Sequence, residues 1–183
     1  MEFWQLAGSW SPVCEFEPLP LPRALVERCL EAAHAAPAPP GPPPWRFTVL
    51  VDAAQRSALV AALVAASPAE ARTLASACAQ APVLVAVHAA SSEAAISFGV
   101  GACIQNLLLC AWDEGAGALP LAGPHWGTPA VRAACGIDGE GALAAVVALG
   151  YPAAVPPRRP RVPAADCTRW LAPPPDMHPP DPA

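Results

Sequence analysis

The sequence predicts one domain in which helices alternate with a few short strands around an apolar core. Three observations carry that expectation. First, 183 residues with 54% hydrophobic and 14% charged side chains suffice for a single sizeable core. Second, Leu25, Val26, Cys29, Leu30 and Ala33 recur at three- and four-residue spacing behind Pro22, a residue suited to a first helical turn. Third, Val83–Ala90 is a short, continuous apolar run of strand length, as expected of a strand covered on both faces, and Leu143–Leu149 reads as a further strand.

Taken in order, the first helix should run from Pro22 to near Ala36. Residues 37–44 follow, with six prolines among eight positions. Such a segment has few backbone donors and should be a stiff, extended loop. Arg46–Asp52 is rich in aromatic and β-branched residues and reads as a strand. Ala53–Ala66 carries Leu59, Val60, Leu63 and Val64 on one helical face, and a further helix is expected from Pro68 to about Gln80.

Val83–Ala90 is the second strand. Glu93–Gly115 is apolar nearly all round, with Gln105 and Asn106 inside it, and should form a long core helix. Ala118–Trp126 reads as a loop carrying His125 and Trp126 between glycines, a pattern that suits a ring-stacking or hydrogen-bonding segment. Thr128 and Pro129 are a cap and a first-turn proline for a short helix ending at Cys135, and Leu143–Leu149 is a third strand. Residues 152–183 hold 11 of the chain's 26 prolines, too many for a packed unit of their own. The division expected is a domain over residues 1–162 and a proline-rich tail over 163–183.

Charge and cysteine content narrow the function classes. The chain has ten arginines, no lysine and a net charge of −5, and its one dense positive run is Arg158, Arg159 and Arg161. That is no stripe for a nucleic-acid backbone. The apolar run Ile96–Trp112 is broken by Gln105 and Asn106, and the first residues show no basic region leading into an apolar one, so neither a membrane span nor a signal peptide is expected. Seven scattered cysteines without Cys-x-x-Cys or histidine at ligand spacing point to reduced thiols in the cytoplasm and to no metal site. His34 and His88 sit among alanines and read as structural. Cys103 and Cys110, about 10 Å apart along a helix, cannot pair with each other.

Several short pieces together resemble the nitroreductase family over residues 9–162. They are Ala36-Pro37, Pro44-Trp45-Arg46-Phe47, Ala81-Pro82-Val83, Ile104-Gln105-Asn106-Leu107-Leu108-Leu109, Gly115-Ala116-Gly117, Leu149-Gly150-Tyr151-Pro152 and Pro157-Arg158-Arg159-Pro160. The resemblance implies an α+β fold, a three-layer α/β/α sandwich with a central mixed sheet and a long buried core helix. It also implies an entwined homodimer with FMN at the subunit interface, and hydride relay from NAD(P)H to a small electron-poor acceptor. On the same ground Pro44, Trp45, Gly115, Ala116, Gly117, Arg158 and Arg159 are the cofactor-binding candidates, and no side chain is assigned as catalytic.

The chain departs from the family pattern at named positions. The two cationic positions before Phe16 fall in Trp10-Ser11-Pro12-Val13-Cys14-Glu15, so Cys14 stands where the family has a cation. The Ser, Asn and Gln of the family's second flavin-contacting segment are Ala38, Gly41 and Pro43, and an acidic position on the core helix is Gly99. Those substitutions define the alternative reading, a non-catalytic protein of the same fold that serves as a ligand-binding or partner subunit.

Overall fold

The computed structural model describes residues 2–66, 71–90, 94–123, 126–137, 141–157 and 160–171. The elements are α1 (Phe3–Ser9), α2 (Arg23–His34), β1 (Trp45–Leu50), α3 (Ala53–Ala66), α4 (Ala71–Gln80), β2 (Val83–Ala89), α5 (Ala94–Asp113), β3 (Gly117–Leu121), α6 (Pro129–Ala134) and β4 (Ala142–Gly150). A 3₁₀ turn, Ala164–Cys167, lies beyond them.

The strands form one sheet in the order β1-β2-β4-β3. Every pairing among the described strands is antiparallel, which corrects the expectation of a mixed sheet. Period-two alternation places Leu50, Leu84, Ala86, Val146 and Ala148 on one face, packed on Leu59 and Leu63 of α3, Cys78 of α4 and Val131 of α6. Trp45, Val83, Val85, Val87, Val147 and Leu149 point the other way, onto Leu25, Val26 and Cys29 of α2 and Val100, Cys103 and Leu107 of α5. Helices therefore cover both faces in three layers. Double coverage explains why β2 and β4 are apolar at successive positions, although their neighbours are antiparallel.

Local chemistry fixes the helix ends. The Asp52 carboxylate accepts from the amides of Ala54 and Gln55 at 2.9 and 3.1 Å and starts α3, and the Thr128 hydroxyl accepts from the Val131 amide and starts α6. Helix α5 is long and apolar enough to cross a membrane by length and composition. In the fold it lies against α2, β2 and β3. Asn106 explains the polar pair inside it: its amide donates to the Ala32 carbonyl at 3.1 Å, in the last turn of α2, while Gln105 faces outward. The Arg28 guanidinium forks onto Glu114 at 2.7 and 2.6 Å and joins the same two helices at the surface, holding the Glu114 carboxyl below its ordinary pKa.

Two elements differ from the sequence expectation. Ala118–Trp126 is not a loop throughout, because Gly117–Leu121 is strand β3, paired with β4 from Gly150 to Val146. Pro120 hides it in the sequence, yet β3 is an edge strand, where a missing amide on the open side is tolerated. Trp126 is not free to stack on a ligand: it is 1% exposed and packs in the core with Leu121 and Val131. Its partner in that expectation, His125, lies outside the described residues. Helix α1, which the sequence pattern does not announce, is tied to α5 by the Trp112 indole N–H donating to Ser9 Oγ at 3.0 Å.

Candidate functional site

The two ends of the domain meet beside the start of β3. Phe16 bridges Pro152, the Glu17 amide donates to the Tyr151 carbonyl at 2.8 Å, and the Ala153 amide donates to Glu15 at 3.0 Å. The Val13 amide donates to the Ala118 carbonyl at 3.1 Å. These bonds hold residues 10–17 along the exit of β4. A cleft of about 450 Å³ opens there, lined by Trp10, Ser11, Pro12, Pro160 and Arg161. Ser11 is the buried polar residue of the described core, and the Trp10 indole N–H is buried without a hydrogen-bond partner among the described residues. Orphaned donors are rare and costly, at about 1–3 kcal/mol each. A guanidinium and a hydroxyl among the lining side chains are donors of the kind that suits an anionic group such as a phosphate.

A second cleft, of about 730 Å³, lies at the opposite end of the sheet between the proline-rich loop and the turn after α6. Five residues of the proline-rich loop, Pro39 to Pro44 without Gly41, line it together with Arg46, His88, Ile96 and Ile137 and the small residues Ala89, Ala90 and Gly136. The Arg46 Nη1 donates to the carbonyls of Trp45 and Pro43 at 3.0 and 3.3 Å, which steadies the loop's exit. His88 Nε2 lies 3.2 Å from Thr48 Oγ1 on the adjacent strand. Burial, and then the nearby Arg132 guanidinium, lower the His88 pKa, so the ring is neutral at neutral pH.

The residues singled out from the sequence are dispersed in this frame. Pro44 lines the larger cleft, whereas Trp45 is 2% exposed and donates its indole N–H to His34 Nδ1 at 3.3 Å. Gly115 ends α5 at φ +78°, and its amide and that of Ala116 are both taken by carbonyls of the last turn. Ala116 is fully buried, and an ideal Cβ on Gly117 would lie 2.6–2.9 Å from the Val13 side chain. Arg158 and Arg159 lie outside the described residues, but Arg161 from the same run lines the smaller cleft. Cys14 is exposed. Trp10, Ser11 and Arg46 fall in segments that the family resemblance covers without singling them out as site residues, and His88 reads as structural in the sequence; the stitching of distant segments brings them to cavities.

Gly99 has a structural reason for lacking an acid. An ideal Cβ there would stand 2.9 Å from the Pro37 carbonyl oxygen and 3.3 Å from the Trp45 ring, so the proline-rich loop occupies the space a side chain would need. The remaining thiols are packing groups: burial pushes Cys29, Cys78 and Cys103 up to about 12 and Cys135 up to about 11. Among the described residues no group of three or more metal-ligating side chains assembles.

Fold and clefts together define a three-layer α+β sandwich with a small donor-lined cavity where its chain ends meet. The chain belongs to the nitroreductase family, whose sequence profile matches residues 13–151. No curated protein sequence matches it. Among solved structures, a nitroreductase-like family protein from Bacillus cereus superposes with a TM-score of 0.81 at 18% identity, covering 93% of this chain and 96% of that one. A nitroreductase with bound FMN from Bacteroides fragilis gives 0.78 at 20% identity, over 94% and 100%. Nitroreductase A from Vibrio parahaemolyticus gives 0.75 at 18%, over 92% and 74%. At these identities the likeness is one of fold.

Proposed function

We propose that the protein is an FMN-dependent oxidoreductase of nitroreductase type, a cytoplasmic homodimer that relays hydride from NAD(P)H to a small electron-poor acceptor. The observation that carries this reading is the smaller cleft, which Arg161 and Ser11 line together with Trp10, whose indole N–H is buried without a partner among the described residues. Arg161, with Arg158 and Arg159 from the same run, would pair with the FMN phosphate, and Ser11 would donate to it. When bound, the flavin supplies the two-electron chemistry. The protein's part is to hold and orient it. Trp45, locked by His34, fixes the loop that ends at Pro44, and the Gly115-Ala116-Gly117 turn sets β3 against Val13 beside the cleft. The family membership and the FMN-bound Bacteroides fragilis relative support the cofactor. The outward face of α5, with Phe98 73% exposed beside Ser97 and Gln105, supports the homodimer, since an apolar ring so exposed on a core helix suits a subunit contact.

A specific observation favours the second reading, a non-catalytic ligand-binding or partner subunit: from 37 to 44 the loop offers no polar side chain, and only Ala38 and Gly41 carry a backbone N–H. The isoalloxazine edge needs such partners. Absorbance of the purified protein, before and after incubation with FMN and desalting, separates the two. Retained flavin bands with NAD(P)H oxidation are the expected result. Arg161→Gln should weaken FMN about 10-fold or more while leaving riboflavin, which has no phosphate, unaffected. Absence of any retained flavin would overturn the oxidoreductase reading in favour of the second.

A further inference from the structure

A third cleft opens where β1 leaves the sheet and β2 enters it, at the far end of β1 from the proline-rich loop. Its volume of about 610 Å³ falls within the range of small-molecule sites, and none of its described lining residues lines either of the other two clefts. Pro18, Pro20 and Pro82 line it with Leu19, Leu21 and Val51, and Leu19 and Val51 are 52% and 61% exposed. One cation stands in this apolar frame. Arg56, in the first turn of α3, donates from Nη1 to the carbonyls of Val51 and Pro82 at 2.5 and 2.8 Å, which fixes the half-buried guanidinium between the two strand ends. Its Nε is buried without a partner, and its Nη2 makes no hydrogen bond among the described residues. The ion pairs among those residues join Arg23 to Glu27 and Arg28 to Glu114, Asp52 caps α3 instead of pairing with Arg56, and none of the described lining residues is acidic. Desolvating a cation is costly, and a counter-ion normally offsets that cost. In a chain of net charge −5, a fixed guanidinium without a carboxylate is accounted for by a bound anion. Gln80 lines the same cleft, and one N–H of its amide remains after the bond to Ser76 Oγ at 3.4 Å.

We infer that this cleft binds an amphipathic monocarboxylate of the medium-chain fatty-acid class, its carboxylate on Arg56 and the Gln80 amide and its chain along the leucines and prolines. A charge-assisted bond from the guanidinium is the strong contact such an acid needs. One free guanidinium nitrogen and one amide match a carboxylate, whereas the doubly charged, many-oxygened phosphate would be left short of donors. The rest of the ligand must be apolar, because the three prolines supply no backbone N–H to meet further acceptors.

The test is calorimetric titration of the full chain with octanoate and with its uncharged analogue, 1-octanol. The protein should bind the acid saturably and about 10-fold or more tighter than the alcohol. Arg56→Gln should erase that preference, but it also removes the bonds to Val51 and Pro82 and should lower the melting temperature. Val51→Glu is the cleaner variant. The Val51 side chain is largely exposed and Arg56 holds only its carbonyl, so the substitution sets a carboxylate in the cleft and leaves the fold and that bond in place. It should weaken octanoate about 10-fold or more at an unchanged melting temperature. Absence of saturable octanoate binding, equal affinity for acid and alcohol, or undiminished octanoate affinity in Val51→Glu overturns the site. Displacement of octanoate by inorganic phosphate would overturn the assignment to a monocarboxylate. Added FMN should not compete, and competition would overturn the separateness of this cleft from the flavin site, whatever the outcome of the flavin experiment itself.

Discussion

Replacing Gly117 by alanine tests whether the turn after α5 serves packing or cofactor contact. An ideal Cβ at Gly117 would lie 2.6 Å from Val13 Cγ2, 2.8 Å from its Cβ and 2.9 Å from its Cγ1. Val13 cannot swing away: it is 1% exposed, and its amide is tied to the Ala118 carbonyl at 3.1 Å. Overpacking of a tight core costs about 1–3 kcal/mol, and a clash with three atoms of a pinned neighbour belongs at the upper end, about 2–3 kcal/mol. For a domain of this size each kcal/mol moves the melting temperature by about 2–4 °C, so Gly117→Ala should melt about 4–12 °C lower. Val13→Ala removes the contacts at 2.6 and 2.9 Å but keeps the one at 2.8 Å. The double variant should therefore recover only part of the loss, with a favourable coupling of about 1 kcal/mol. Thermal and urea unfolding followed by circular dichroism give all four corners of the cycle. An unchanged melting temperature for Gly117→Ala, or strict additivity with Val13→Ala, would refute the packing argument. A loss of FMN affinity at unchanged stability would assign the glycine to the cofactor instead.

Three further outcomes are expected. The His88 pKa is lowered by burial and then by Arg132, so the unfolded chain takes up this proton first. The associated stability is present above about 6.5 and lost as pH falls from there through the folded pKa; His88→Asn should flatten the melting-temperature profile across that window, and an unaltered slope would contradict it. In thiol titration of the native protein with Ellman's reagent at mildly alkaline pH, exposed Cys14 and Cys167 should react at once. Cys29, Cys78, Cys103 and Cys135 should react only on unfolding, and prompt reaction of any of these four would refute their burial. Restoring the acid on the core helix with Gly99→Asp should destabilise by about 1–3 kcal/mol, because the Pro37 carbonyl and Trp45 ring fill the position; an unchanged urea midpoint would mean that the loop does not lie there.

What could be read from the sequence was whatever local periodicity or a cap encodes. Val83–Ala89 announces itself because helices cover both its faces, α5 by its length of apolar turns, α3 by the apolar face of Leu59 and Leu63, and α6 by its cap Thr128, whereas the Asp52 cap of α3 reads in the sequence as the end of a strand. Strand β3 was illegible because its five residues include a glycine, an alanine and a proline, and only its place at the sheet's edge makes that composition tolerable. The donor-lined cleft was illegible for a different reason. Ser11 and Arg161 are 150 positions apart, and what joins them is the backbone pairing of Glu15–Glu17 with Tyr151–Ala153, which leaves no pattern in either segment. Arg46 and His88 are neighbours across the β1–β2 ladder, a register that no spacing within one strand reveals.

The strand order has a consequence for biosynthesis. β4, the last made of the described strands, lies between β2 and β3, and residues 10–17 then pack along its exit. A nascent chain that has emerged as far as Leu121 holds the other three described strands, yet β2 lacks one neighbour and β3 has none. Until β4 emerges and inserts, both offer open apolar edges, the kind of surface on which incomplete chains aggregate. Ribosome-stalled chains ending before Ala142 should thus depend on chaperones, and those released after Arg161 should not. Completion of the sheet and closure of the donor-lined cleft are one late event, so a truncated product has neither a finished core nor an anion site.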